Sequence, residues 1–285
     1  MYLNEFYFFY SNDIETIFIK GIDSDEPLPW LSLKLHNNNG RSLKASKKMN
    51  CLVVLLADKR HLTIILLDRK NIVNILQKHD IVIDEDSEIE DFKIFGDQEN
   101  KIATLSNNGL LNVFHVRCTA KGKKEMDVKP VGKLEIQLNL DLEEYAFSLS
   151  ICPKSRFFAI HTLTKEHKGA RVIIVEYITK TEEPELVIKT WNDFEEEKLV
   201  FFKACDFYGY FSDELIFCGL TGSKPCRIIT FGYDTFKNKL RILESLRVKY
   251  DAICKPFKVT RMAGMLWTSD YNCNLVKIKY KLRNY

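Results

Sequence analysis

One phrase recurs six times in this chain, and it constrains the fold more than any other feature. It is an apolar run, a small or hydroxyl residue, a polar turn, and then an alternating, β-branched run. The clearest copy is ATLSNNGLLNVFHV (103–116), where Asn107, Asn108 and Gly109 separate two apolar runs. Asn and Gly between alternating hydrophobic segments favour a β-hairpin, because they accept the positive backbone angles that tight turns need. The same order of residues starts FFYSNDIETIFIKGI at Phe8, VLLADKRHLTIILLD at Val54 and AIHTLTKEHKGARVIIVEYI at Ala159. It returns in FCGLTGSKPCRIITFGYD at Phe217 and LWTSDYNCNLVKIKYK at Leu266. Anchored on Ser11, Ala57, Ser106, Thr164, Thr221 and Ser269, the copies are 46, 49, 58, 57 and 48 residues apart. A period of about 50 residues is the length of one four-stranded sheet with its loops.

Further apolar runs flank each hairpin. DFKIF precedes the third and KLEIQLNL follows it, while YAFSLSI precedes the fourth and ELVIKTW follows it. Helical patterning is scarce. Only RKNIVNILQKH (69–79) has compatible spacing, and its place in the repeat favours a strand. The expected fold class is therefore all-β: a single β-propeller over residues 1–285, with about six or seven four-stranded blades, because radial stacking buries both faces of each sheet. A two-sheet sandwich is the rival, but it requires no period near 50. At the ends, MYLNEFYFFY has room for one strand before the first turn, and NLVKIKYKL is the last strand before Tyr285. The first unit is thus expected to lack its innermost strand and the sixth its outermost, leaving the propeller open at the termini.

Through these six hairpins the chain resembles the WD40-like family over nearly its whole length, as a degenerate member. Phe114-His115 stands where that family places Trp-Asp, and no Gly-His pair precedes a blade. Only Leu67-Asp68 and Tyr233-Asp234 keep an aspartate near the end of a comparable strand. The resemblance implies a propeller that acts as a binding platform. By analogy with coat and nuclear-pore scaffolds, it also implies an open ring completed by a partner.

Composition narrows the class further. The chain is 46% hydrophobic and 12% aromatic, which describes a folded protein. With 42 basic and 39 acidic residues, a formal charge of +3 is too balanced for a nucleic-acid-coating protein, so charge effects must be local. Eight cysteines contain no Cys-x-x-Cys pair and several lie within apolar runs, which reads as free thiols in a reducing compartment. The apolar start carries Glu5 and Asp13 without a basic leader, and reads as a strand. The longest apolar run, CLVVLLA, is far shorter than the roughly 20 residues of a membrane helix. A cytoplasmic or nuclear protein without membrane insertion is expected.

Catalysis needs converging groups, and the sequence offers no phosphate loop, nucleophile elbow or paired carboxylates in an apolar setting. His161 and His167 flank one hairpin tip with Cys152 nearby, but their spacing fits no zinc pattern. A strand residue and an exposed loop residue are the plainer reading. No enzyme, cofactor or metal is expected.

Charge clusters are more informative. DEDSEIED, DLEE and DFEEE each fall between the last strand of one unit and the first of the next. Such connections share one face of a propeller. Asp84, Glu85, Asp86, Glu88, Glu143, Glu144, Asp193, Glu195 and Glu196 would then form an acidic rim for a basic peptide. Solvated charged turns are the alternative. RCTAKGKKEMDVKPVGK (117–133) reads as a long basic connection between two strands, where Lys121, Lys123 and Lys124 would meet phosphates. It lacks the aromatics that single-strand binding adds. Along the last strand, Asn274, Val276, Ile278 and Tyr280 are the candidate edge for a strand supplied by a partner. Alternating Lys277, Lys279 and Lys281 would instead protect a free edge. The expected function is a non-enzymatic interaction scaffold within a larger assembly. The alternative is a noncatalytic RNA-contacting subunit of an RNA-processing or modification complex.

Overall fold

In a computed structural model, the chain is described at residues 2–4, 7–11, 16–21, 28–32, 42–46, 52–56, 60–67, 75–82, 87–119, 125–152, 154, 156–165, 170–179, 184–193, 202–211, 214–221, 227–247, 260–262, 265–269 and 275–278. It divides into two compact units, Met1–Glu135 and Ile136–Tyr285.

The first unit holds three antiparallel sheets, each an up-and-down meander in chain order. The first sheet is β1 (Tyr2–Asn4), β2 (Tyr7–Ser11), β3 (Thr16–Gly21) and β4 (Leu28–Ser32). The second is β5 (Ser42–Ala45), β6 (Leu52–Leu56), β7 (His61–Leu67) and β8 (Ile75–Val82). The third is β9 (Ile89–Phe95), β10 (Lys101–Ser106), β11 (Leu110–Thr119) and β12 (Glu125–Glu135). The second unit continues the pattern with β13 (Tyr145–Ile151), β14 (Phe157–Leu163), β15 (Ala170–Ile178) and β16 (Glu185–Asp193). Then come β17 (Phe202–Phe211), β18 (Glu214–Thr221), β19 (Arg227–Asp234) and β20 (Lys239–Arg247). The last sheet has three strands among the described residues: β21 (Thr260–Met262), β22 (Met265–Ser269) and β23 (Leu275–Ile278).

All six expected hairpins form: β2–β3, β6–β7, β10–β11, β14–β15, β18–β19 and β22–β23. In the third, Gly109 takes φ +86° and Asn108 Oδ1 accepts the Leu110 N–H at 3.2 Å. Asn107 Oδ1 accepts the Glu88 N–H at 3.1 Å, which ties this turn to the preceding inter-sheet link. Ser106 is completely buried, so the position before the turn admits only a small side chain. The segment around 75–82 is a strand, as its place in the repeat required.

Two expectations about strands are corrected. The first sheet is complete, because MYLNEFYFFY divides into β1 and β2, paired through Tyr2↔Phe8 and Asn4↔Tyr7. A strand of three residues is shorter than the sequence estimate allowed for. The supposed basic connection 117–133 is mostly strand: β11 and β12 pair from Leu110↔Glu135 to Thr119↔Glu125, leaving only 120–124 between them. Lysines and Pro130 disguised an outer strand, where one edge faces solvent and a missing N–H is tolerated. The fourth strand of this sheet therefore ends at Glu135, and the residues previously read as its end lead into a 3-10 turn, Leu140–Leu142.

One irregularity repeats. In each of the five four-stranded sheets, the ladder between third and fourth strands skips one residue of the fourth. Those residues are Trp30, Leu76, Val131, Lys189 and Leu243. Pro29 and Pro130 sit beside two of these bulges, where proline's missing N–H is accommodated. An extra residue sharpens the local twist.

Within the first unit, β5 adjoins β9 and β8 adjoins β12, so first strands neighbour first strands and fourth strands neighbour fourth. Lys44 on β5 reaches β9, pairing with Asp91 at 3.0 Å and lying 4.3 Å over the Phe92 ring. Gln77 Oε1 on β8 accepts the Met126 N–H of β12 at 2.6 Å. Within the second unit the same neighbours recur, β13 with β17 and β16 with β20. The core between those two sheets contains Phe157, Ile174, Ile229, Phe231 and Tyr233, with the Phe157 and Tyr233 rings edge to face at 5.6 Å. All seven residues of β14 are buried, as expected of a strand with sheet on both sides and packed faces.

Candidate interaction surfaces

The link from β12 to β13 shows how the chain fixes an exposed loop. Its anchor is Glu144, whose side chain is 7% exposed beside Arg171 at 20%. Arg171 Nε donates to Glu144 Oε1 at 3.0 Å and Nη2 to Oε2 at 2.8 Å, a bidentate pair. The Thr162 hydroxyl donates to Oε1 as well, and the Asn139 N–H donates to Oε2 at 2.7 Å. Arg171 Nη2 also reaches the Gln137 carbonyl at 2.8 Å. The loop closes on itself through Glu144 N–H to Asn139 O and Glu143 N–H to Leu140 O, each 3.0 Å, with Glu143 at φ 47°. Asn139 caps the 3-10 turn by accepting the Leu142 N–H at 3.3 Å. This network holds Leu140, 84% exposed, and Leu142, 48% exposed, out in water. Asp141 lies between them, and Glu143 pairs with exposed Lys165 at 2.6 Å.

A second polar cluster sits at the other end of the same sheet. Glu176, almost buried, takes Arg156 Nη2 at 2.5 Å and Lys189 Nζ at 3.3 Å. Beside it the Tyr233 hydroxyl donates to Asn238 Oδ1 at 2.7 Å, and Asn238 Nδ2 donates to the Lys189 carbonyl at 2.8 Å. Lys189 is the extra residue of its bulge, so the ladder does not use it and its carbonyl can take this bond. Burial, then the charge of Glu176, push the Tyr233 hydroxyl up to about 12. Asp234 Oδ1 accepts the Phe236 and Lys237 N–H groups, at 3.0 and 2.9 Å, so the aspartate retained at this strand end shapes a turn. Those bonds hold its carboxyl below the usual range.

Some of the sequence-derived site residues can be placed. Glu143 and Glu144 lie together in the pinned loop, but Glu144 is consumed by Arg171 and does not face solvent as a free charge. Glu88 belongs to the link before β9, with its backbone bonded to Asn107. Asp193 ends β16. Val276 and Ile278 lie on β23, the outer strand of its sheet among the described residues. Asp84, Glu85, Asp86, Glu195, Glu196, Lys121, Lys123, Lys124, Asn274 and Tyr280 lie outside the described residues, as does His167. His161 is a buried strand residue on β14. His115 on β11, at the Trp-Asp position of the resemblance, sets Nε2 2.9 Å from Asn100 Nδ2. Desolvation, with Arg117 and Lys101 nearby, lowers its pKa. Among the described residues no group of three His, Cys, Asp or Glu side chains is arranged to hold a metal, and no helix is long and apolar enough to cross a membrane.

Sequence reasoning missed Leu140, Leu142 and Arg171. The signal was the alternation of leucine with acid in NLDLEE, directly after a strand that ends earlier than its apolar pattern suggests. It also missed Trp191, 58% exposed on β16, and Phe236, 79% exposed at a hairpin tip.

No protein-family model matches the chain, and no curated protein sequence matches it. Among solved structures it is similar to the β-propeller domain of Cps50 (Swd1) from Myceliophteria thermophila, with a TM-score of 0.57. The match covers 95% of this chain and 78% of that one at 7% identity. The fold is that of an all-β propeller.

Proposed function

We propose that this chain is a non-enzymatic, WD40-like interaction scaffold, a propeller subunit of a larger protein assembly, with residues 1–285 acting as one domain. The observation that carries this reading is the pinned loop 137–144. Exposed leucines on a mobile loop would fold back or cost little, whereas here a buried ion pair and a closed set of backbone bonds hold two of them in water. A surface prepared in advance spends less binding energy on ordering when a partner arrives. Asp141 between the leucines, beside Glu143 with its exposed Lys165 partner, favours a partner segment that is apolar at its centre and carries a basic residue opposite Asp141. The outer edge of β23 offers a second attachment, through strand addition at Val276 and Ile278.

The test is purification of the tagged chain from the cells that make it, followed by binding kinetics with the protein that accompanies it. Leu140→Asp with Leu142→Asp should weaken that complex by roughly a hundredfold, about two interface side chains' worth. Reversing Asp141 and Glu143 to Lys should mainly slow association at low salt. A wild-type chain that purifies alone, or a complex indifferent to both leucines, would refute the proposal.

A further inference from the structure

We propose that the rim formed by β16 and the β19–β20 turn binds single-stranded nucleic acid. Six large hydrophobic side chains are exposed among the described residues; two of them are aromatic, and both lie here, Trp191 and Phe236. The turn that carries Phe236 is fixed at both ends. Asp234 accepts two of its N–H groups, and Asn238, at φ 53°, spans from the Tyr233 hydroxyl to the carbonyl of Lys189, two residues before Trp191. Through that bond, chain geometry keeps the two aromatic residues within roughly 20 Å of each other. Neither ring is a loose surface side chain on an unanchored segment.

The cations are in the same place. Lys237 on the turn and Lys239 and Arg241 at the start of β20 are exposed. From Asp234 to Arg241 one carboxylate stands with these three cations, and it is engaged with the turn's own N–H groups, while β16 brings Lys189, paired with Glu176, and Asp193 two residues beyond Trp191. Unspecific recognition of a single strand requires this combination: ring faces on which bases stack, and positive side chains that follow the phosphates. An acidic peptide would satisfy the cations and leave both rings in water. The basic segment 120–124 has lysines without aromatics, whereas this rim has both.

The full chain is titrated into a fluorescein-labelled oligouridylate about twelve nucleotides long, followed by anisotropy and by quenching of tryptophan emission. Binding should weaken steeply between about 50 and 200 mM salt. Trp191→Ala and Phe236→Ala should each weaken it roughly tenfold, by loss of one stacked base. Lys237→Glu with Lys239→Glu should weaken it and flatten the salt dependence. Leu140→Asp should leave it unchanged, which separates this site from the scaffold surface. Because both rings are exposed, each aromatic variant can be checked for an unchanged β-sheet circular dichroism spectrum, and either one alone suffices. The inference is overturned if no binding is seen at low salt, or if both aromatic variants bind like the wild type. Equal displacement of the oligonucleotide by poly-glutamate would overturn it too, because the rim would then be a site for acidic protein segments.

Discussion

The two ends of the fourth sheet each bury a glutamate beside an arginine, yet the two pairs are built for different tasks. Glu144 and Arg171 are both largely out of water, and their remaining hydrogen-bonding capacity goes to backbone at Asn139 and Gln137. Glu176 is equally buried, but its Arg156 is 60% exposed and shares the carboxylate with Lys189. The first pair is an obligate clamp. Removing either member leaves a largely buried charge without its opposite charge, the carboxylate keeping only the Thr162 hydroxyl and the Asn139 N–H. The second is a redundant cluster, because a lost arginine leaves the carboxylate with a lysine and leaves solvent close by. The lesson is that burial of the carboxylate alone does not set the value of an ion pair; what replaces the missing partner does.

This contrast is most directly broken by deleting each arginine. Arg171→Ala should cost about 3 kcal/mol and lower the melting temperature by several degrees, whereas Arg156→Ala should cost about 1 kcal/mol. Equal losses in a thermal scan would show that the clamp and the cluster do not differ. A smaller effect separates the two ends by pH. Tyr233 belongs only to the cluster, and its folded-state pKa of about 12 exceeds the 10 of an unfolded tyrosine. The folded state then holds a proton that the unfolded chain has released, so this contribution is complete below pH 10 and is lost as pH rises toward 12. Tyr233→Phe should flatten the alkaline limb of a stability profile, and Glu176→Gln should reduce its slope, because the carboxylate helps to raise that pKa. Arg171→Ala should leave the shape of the limb intact. The smallest effect belongs to the exposed pair of Glu143 and Lys165: Lys165→Ala should change stability by no more than about 0.5 kcal/mol.

Much of the fold was legible in the sequence, because hairpins announce themselves locally. Asn107-Asn108-Gly109 encodes its turn in three adjacent residues, and Ser106 is small because it is itself completely buried. Outer strands are harder to read. β12 carries lysines, a proline and one skipped residue, so its alternation breaks and it passes for a loop. The candidate surfaces were less visible still. Glu144 looks like any loop acid until Arg171, distant in sequence, is seen to claim it. Trp191 reads as one more hydrophobic strand residue, since exposure on an outer strand has no local signature.

The repeated skip in the fourth strands has a consequence for how the protein behaves at high concentration. A straight outer strand is a template on which another chain can lie, and an extra residue spoils it by bending the line of free N–H and C=O groups. Trp30, Leu76, Val131, Lys189 and Leu243 supply that bend in five sheets, while the β22–β23 ladder runs without one. Substituting any of these five side chains would leave the bend in place, because it is the count of residues and not their identity that makes it. Loss of a single codon at one of these positions is a different kind of lesion. It is expected to restore an uninterrupted ladder and so to leave a straighter outer edge, more open to addition of a strand from another chain.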